Sequence, residues 1–192
     1  FNLSGYYKNI IPEISFYMLN SAWCSSGGAK DEYGNEIVDK GLLRVNTNGL
    51  NQWILENKGR TKILIMHHPI EHLTDDMMEQ LYAICRNEVN FLIAGHTHSQ
   101  NMTQFQNGAW VVISPQLFSE KKDRNGYSVM HLEGTNVLDI CYRQWNQRFR
   151  KFMNGVEYTG TEDGKWGNPD LESVIREDPI LCTLKQDLDD AM

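Results

Sequence analysis

Four of the six histidines in this chain fall into two pairs. His67-His68 is followed by Pro69, and His96 and His98 are framed as Gly95-His96-Thr97-His98. Neutral imidazole is a good ligand for zinc, iron, manganese or nickel. Each pair directly follows a short apolar run, KILIM at 62–66 and FLIA at 91–94. Such runs suit strands buried on both faces. Between them, residues 74–86 carry Met77, Leu81, Ile84 and Cys85 as one apolar stripe at helical spacing. Asp75 and Asp76 stand where a helix dipole favours acid. A strand, a helix and a second strand in that order predict a parallel crossover. Both carboxyl ends then lie on one edge of a sheet, the edge at which open α/β sheets bind ligands. Histidines far apart in the chain should meet there. A lone histidine at a strand end is more often an ordinary hydrogen-bonded side chain, but two pairs after two neighbouring strands point to metal. His96 and His98, at i and i+2, should point to one side of an extended segment. Gly95 should let the backbone turn tightly out of its strand, and Pro69 should stiffen the exit after His67-His68.

Other elements are needed to hold this edge in place. Residues 14–23 are rich in β-branched and aromatic side chains and read as a strand. Residues 24–40 form a polar, glycine-rich loop, and Leu50, Trp53 and Ile54 mark a short helix. After the second histidine pair the pattern changes to antiparallel strands. Residues 101–106 and 109–114 flank Asn107-Gly108, and 127–133 and 136–143 flank Gly134-Thr135. Both dipeptides sit where hairpin turns are expected. Residues 148–153 could add an edge strand, and a weakly amphipathic helix is expected near 179–189.

ILIMHHPI followed by FLIAGHTH resembles the last two signature motifs of the calcineurin-like metallophosphoesterases. The resemblance covers residues 10–155. It implies an α/β fold, a two-sheet mixed β-sandwich flanked by helices, present here as a partial domain. It also implies two divalent ions (manganese, iron, zinc or nickel) and hydrolysis of phosphate mono- or diesters by in-line attack of water. Carried over, His67 and His96 would bind one ion and His98 the other. His68 would lie just outside the ligand shell, orienting the loop or meeting a substrate oxygen. The family's earlier motifs, DxH, GDxxD and GNH, have no counterpart in the chain. Gly34-Asn35-Glu36 imitates the third without its histidine. The bridging aspartate and the general-acid histidine are therefore expected upstream, and the fragment alone is expected to be inactive. The alternatives are a degenerate fold serving as a protein-binding scaffold, and a nuclease.

Residues 1–155 hold 15 acidic and 15 basic side chains, whereas 156–192 hold 10 acidic and 3 basic and so carry the entire net charge of −7. A neutral body argues against general nucleic-acid affinity. Residues 1–155 are expected to be the C-terminal half of the catalytic domain. Residues 156–192 are expected to be an acidic extension or a linker to a further domain, packed loosely on the body. The partner implied is a phosphate-ester substrate. No apolar run suggests a membrane span. Four scattered cysteines without a CxxC suggest a reducing, cytoplasmic setting, with Cys85 and Cys141 as small core residues. His72, in the loop after HHP, could touch substrate but reads rather as an exposed loop histidine, and His131 reads as structural. Arg143, Arg148, Arg150 and Lys151 form a basic patch expected to pair with the acidic segment or another domain.

Overall fold

The structure, a computed structural model, describes residues 5–97, 101–104, 109–118, 125–133 and 136–167. They belong to two compact units, Phe1–Gln116 and Leu117–Met192.

The first unit is built on β1 (Gly5–Ile11), β2 (Ile14–Leu19), α1 (Asn48–Glu56), β3 (Thr61–Ile65), α2 (Asp75–Glu88), β4 (Phe91–Ala94), β5 (Asn101–Gln104) and β6 (Trp110–Ile113). Its six strands lie in the order β1-β2-β3-β4-β6-β5. The four central strands run parallel, and β1 and β5 close the sheet as antiparallel edges. Strand β3 pairs β4 in parallel, Ile63 beside Phe91 and Ile65 beside Ile93, with α2 as the crossover between them. Burial explains the apolar runs: Ile63, Leu64, Phe91 and Leu92 are all almost inaccessible. The sequence pattern missed β1, because Gly5–Ile11 mixes two tyrosines, a lysine and an asparagine with its aliphatic residues. A turn at Pro12-Glu13 returns the chain as β2.

Helix α1 packs through Leu50, Trp53 and Ile54, the three residues its spacing selected. Fully buried Trp53 stacks at a tilt 5.3 Å from the Tyr17 ring of β2. Its indole N–H donates to Ser15 Oγ at 2.6 Å, so the polar edge of the largest core residue is satisfied. Leu81 and Cys85 of α2 join the same core, with Met77 and Ile84 partly buried against it. Asn90 then fixes the start of β4. Its carbonyl oxygen accepts from Trp110 N–H, its side-chain oxygen accepts from Lys62 N–H, and its own N–H donates to Lys62 O.

The second unit contains β7 (Gly126–Glu133), β8 (Asn136–Asn146), β9 (Lys151–Asn154), a single helical turn α3 (Val156–Thr159) and β10 (Lys165–Gly167). Strand β8 pairs β7, β9 and β10, all antiparallel. The edge strand expected at 148–153 is β9. The two expected turns, Asn107-Gly108 and Gly134-Thr135, lie outside the described residues, as does the helix expected near 179–189. The strands on either side of each turn do pair.

The described part of the acidic segment, residues 156–167, does not pack loosely. Trp166 of β10 lies beside Ile140 of β8, and Tyr142 N–H donates to Gly164 O at 2.8 Å. Gly164, at φ 67°, has no room for a side chain: a Cβ there would stand 2.6 Å from Gly155 N. Close backbone approach of this kind, together with the donors and acceptors along β8, outweighs the unfavourable charge density that the sequence suggested.

The described residues therefore form a mixed α/β fold with two sheets and few helices. Among the described residues, no helix is long and apolar enough to cross a membrane.

Candidate metal centre

Parallel pairing of β3 with β4 brings their carboxyl ends together. The two exits are also tied to each other: Met66 N–H donates to Ile93 O at 3.0 Å, and Gly95 N–H donates to His67 O at 3.0 Å. Nitrogens of His67, His68 and His96 lie within 4.8 Å of one another as a result. Ring centroids are 4.6 Å apart for His67 and His68, 5.1 Å for His67 and His96, and 4.5 Å for His68 and His96. His67 Nε2 and His96 Nδ1 stand 3.2 Å apart. His98, the remaining ligand candidate, lies outside the described residues.

The local backbone differs from expectation at one point. His96, not Gly95, holds the left-handed conformation, at φ 67°. Thr97 N–H closes the bend on Gly95 O at 2.8 Å. The segment leaving β4 is therefore bent at His96 rather than extended, so the i, i+2 reasoning for His96 and His98 does not apply. A non-glycine residue in this region costs about 1–3 kcal/mol and is concentrated at functional sites.

His68 is 2% exposed, and its environment fixes its protonation. Ser21 Oγ accepts from the backbone N–H groups of His67 and His68, at 3.1 and 3.0 Å. With both lone pairs used, its hydroxyl proton goes to His68 Nδ1, 3.2 Å away. Neutral His68 then carries its own proton on Nε2 and is a donor there. Burial, reinforced by the neighbouring His67, His96 and His72, pushes its pKa down to about 4.

A fourth imidazole joins the group. His72, in a 3-10 turn at Ile70–His72, has its ring 4.8 Å from that of His96 and 5.9 Å from that of His68. Expected as an exposed loop residue, it is half-buried, and its Nδ1 is buried without a hydrogen-bond partner. Burial, and then the charge of Lys40, lower its pKa.

The loop at 24–40 forms the other wall of a cavity of about 590 Å³ that contains all four rings. Ser25, Ser26, Ile37, Asp39 and Lys40 are on this wall, and so is Glu36 of the Gly34-Asn35-Glu36 sequence. Asp39 Oδ2 accepts from Ser25 Oγ–H at 2.7 Å, and Oδ1 accepts from Ser26 N–H at 2.9 Å. The Ser25 bond, followed by the Ser26 amide, holds its carboxyl below the usual range. Sequence reasoning missed Ser21 and this wall, and it preferred an exposed loop position for His72 over contact with the site. Ser21 had a usable signal, since it lies just past β2, a parallel strand ending at the same sheet edge.

The donor set suits a divalent ion: imidazole nitrogens at near-ligand separations, and an orphaned buried nitrogen that a bound ion or substrate oxygen would satisfy. No protein-family model matches the chain, and no curated protein sequence does. Among solved structures, a dimetal phosphatase from Danio rerio is similar in fold. The match has a TM-score of 0.53 and 13% sequence identity and covers 72% of this chain. The chain spans 56% of that structure's length.

Proposed function

We propose that this chain carries the histidine half of a two-metal phosphoesterase centre, and that the protein hydrolyses phosphate mono- or diesters. The observation behind this reading is the gathering of His67, His68 and His96 at the ends of two adjacent parallel strands. The fold likeness to a dimetal phosphatase supports it.

In this reading His67 and His96 hold one ion and His98 the other. Divalent ions supply Lewis acidity there, lowering the pKa of water and offsetting negative charge on the phosphoryl oxygens. The chain's own residues do the rest. Ser21 holds His68 as the tautomer with Nε2–H, a donor suited to a phosphoryl oxygen and not to a metal. The bend at His96 and the Gly95–His67 bond keep two ligands in register before anything binds. Three neutral imidazoles do not balance two dications, and Asp39 already uses its oxygens on Ser25 and Ser26. This reading assigns the balancing carboxylates and the general acid to residues other than these histidines.

The test is hydrolysis of a chromogenic phosphodiester with manganese, by the 192-residue chain alone and by a longer protein in which DxH, GDxxD and GNH motifs precede it. The chain alone should be inactive and the longer protein active, with His96→Ala abolishing most turnover. Full activity in His96→Ala overturns the assignment. Metal-dependent turnover by the short chain overturns the half-site. A longer protein that folds and is inactive with every metal supports a binding scaffold instead.

A further inference from the structure

A second group of possible ligands lies in the other unit, on the sheet of β7 and β8. His131 of β7 sits directly opposite Asp139 of β8 in the ladder. Cys141 is two residues beyond Asp139, so it projects from the same face. His131 Nδ1 is in direct contact with Asp139 Oδ1, and Cys141 Sγ is 3.5 Å from that same oxygen. All three potential ligand atoms lie within 4.8 Å of one another. The proposed phosphoesterase chemistry uses none of them.

We propose that His131, Asp139 and Cys141 form a three-ligand site for a zinc-like divalent ion, with one coordination position left for water. An imidazole, a carboxylate and a thiolate are the donor types that borderline-soft zinc selects. In tetrahedral zinc, ligand atoms stand roughly 3.3–3.8 Å apart, given metal–ligand distances of about 2.0–2.3 Å. The 3.5 Å between Cys141 Sγ and Asp139 Oδ1 already falls in that range, and the touching His131–Asp139 pair has only to open to admit an ion, which rotamer adjustment can supply without moving the strands.

Register sets this arrangement in the backbone. In an antiparallel pair, opposed residues are the closest cross-strand neighbours, and the i+2 position adds a third donor on that face. A cross-strand His–Asp pair alone would account for two of the residues. It would not account for a nearly buried thiol directed at the same carboxylate oxygen. Lys165 of β10, opposite Cys141, brings a positive charge nearby. That charge favours the anionic forms of both Asp139 and Cys141, and it keeps metal affinity below that of a purely anionic cage. Burial, and then Asp139, push the Cys141 thiol up to about 11, so ion binding at neutral pH releases its proton.

Titration of the full chain with cobalt(II) tests the proposal. A thiolate ligand gives cobalt a charge-transfer absorption in the near ultraviolet. Among the described residues no cysteine lines the histidine cavity, and Cys182→Ser checks the cysteine outside them. The band should appear, be bleached by zinc and vanish in Cys141→Ser. It should persist in Cys24→Ser and Cys182→Ser. In His131→Ala, a change at a half-exposed position that leaves the strand backbone intact, the midpoint should move to at least tenfold higher cobalt. No band at saturating cobalt overturns the site. So does a band that survives Cys141→Ser, or an unchanged midpoint in His131→Ala.

Discussion

Ser21 illustrates how much one hydroxyl can decide. It joins the end of β2 to the exit of β3 through two backbone amides and orients His68 through a third bond. Ser21→Ala leaves the buried His68 amide, the part-buried His67 amide and His68 Nδ1 unmatched. It should lower stability by about 1–3 kcal/mol, measured by urea denaturation. In an active longer protein it should reduce turnover by about 10–100-fold, as changes behind a ligand shell do. Nitrogen chemical shifts of His68 should show loss of the single tautomer.

His68 also gives the metal-free chain a pH signature. Its folded pKa is about 4 and its unfolded value about 6.5. Between those values the unfolded chain takes up a proton that the folded chain refuses, so stability falls as pH drops through that window. Above pH ~6.5 the residue has no such effect. His72 is shifted in the same direction and adds to the slope. The expected loss is about 1–3 kcal/mol, read from urea midpoints with a chelator present. His68→Gln should flatten the curve.

At the scale of elements, legibility followed burial. The strands β3 and β4 and the helices α1 and α2 were readable because their apolar residues recur at the period that the core demands. Strand β1 was not, because edge position removes the need for an apolar run. The bend at His96 was not readable either, since nothing in GHTH distinguishes a left-handed histidine from a flexible glycine before it. Among the helices, α1 depends most on a single residue. Trp53→Phe should cost about 1–2 kcal/mol by stranding Ser15 Oγ. Trp53→Ala should cost about 3–5 kcal/mol by opening a cavity against Tyr17. Thermal melts of both variants check the order. The exposed Arg44–Asp76 pair, at 2.7 Å, joins the segment ahead of α1 to α2. Arg44→Ala should change stability by less than about 1 kcal/mol.

Across the whole molecule, the candidate site was legible to the extent that topology dictated it. Two histidine motifs after two parallel strands had to share an edge. What sequence could not supply was the opposite wall, because the loop at 24–40 reaches the cavity by irregular turns with no period to read. Charge was misleading in a similar way for residues 156–167, where backbone pairing prevails over acidity. Manganese should stabilise the intact chain by mass action, by about 2.7 kcal/mol when the free ion is a hundredfold above its dissociation constant. His96→Ala should remove most of that gain, a difference that differential scanning fluorimetry reads directly.

The amide that Gly95 donates to His67 has a kinetic consequence. That proton can exchange with deuterated solvent only when the exits of β3 and β4 separate. Its exchange rate therefore measures how often the empty centre opens. Slow exchange without metal would mean that an arriving ion meets ligands already in place and loses nothing to ordering them. Capture would then be limited by diffusion and ion dehydration, and release would be the slow step.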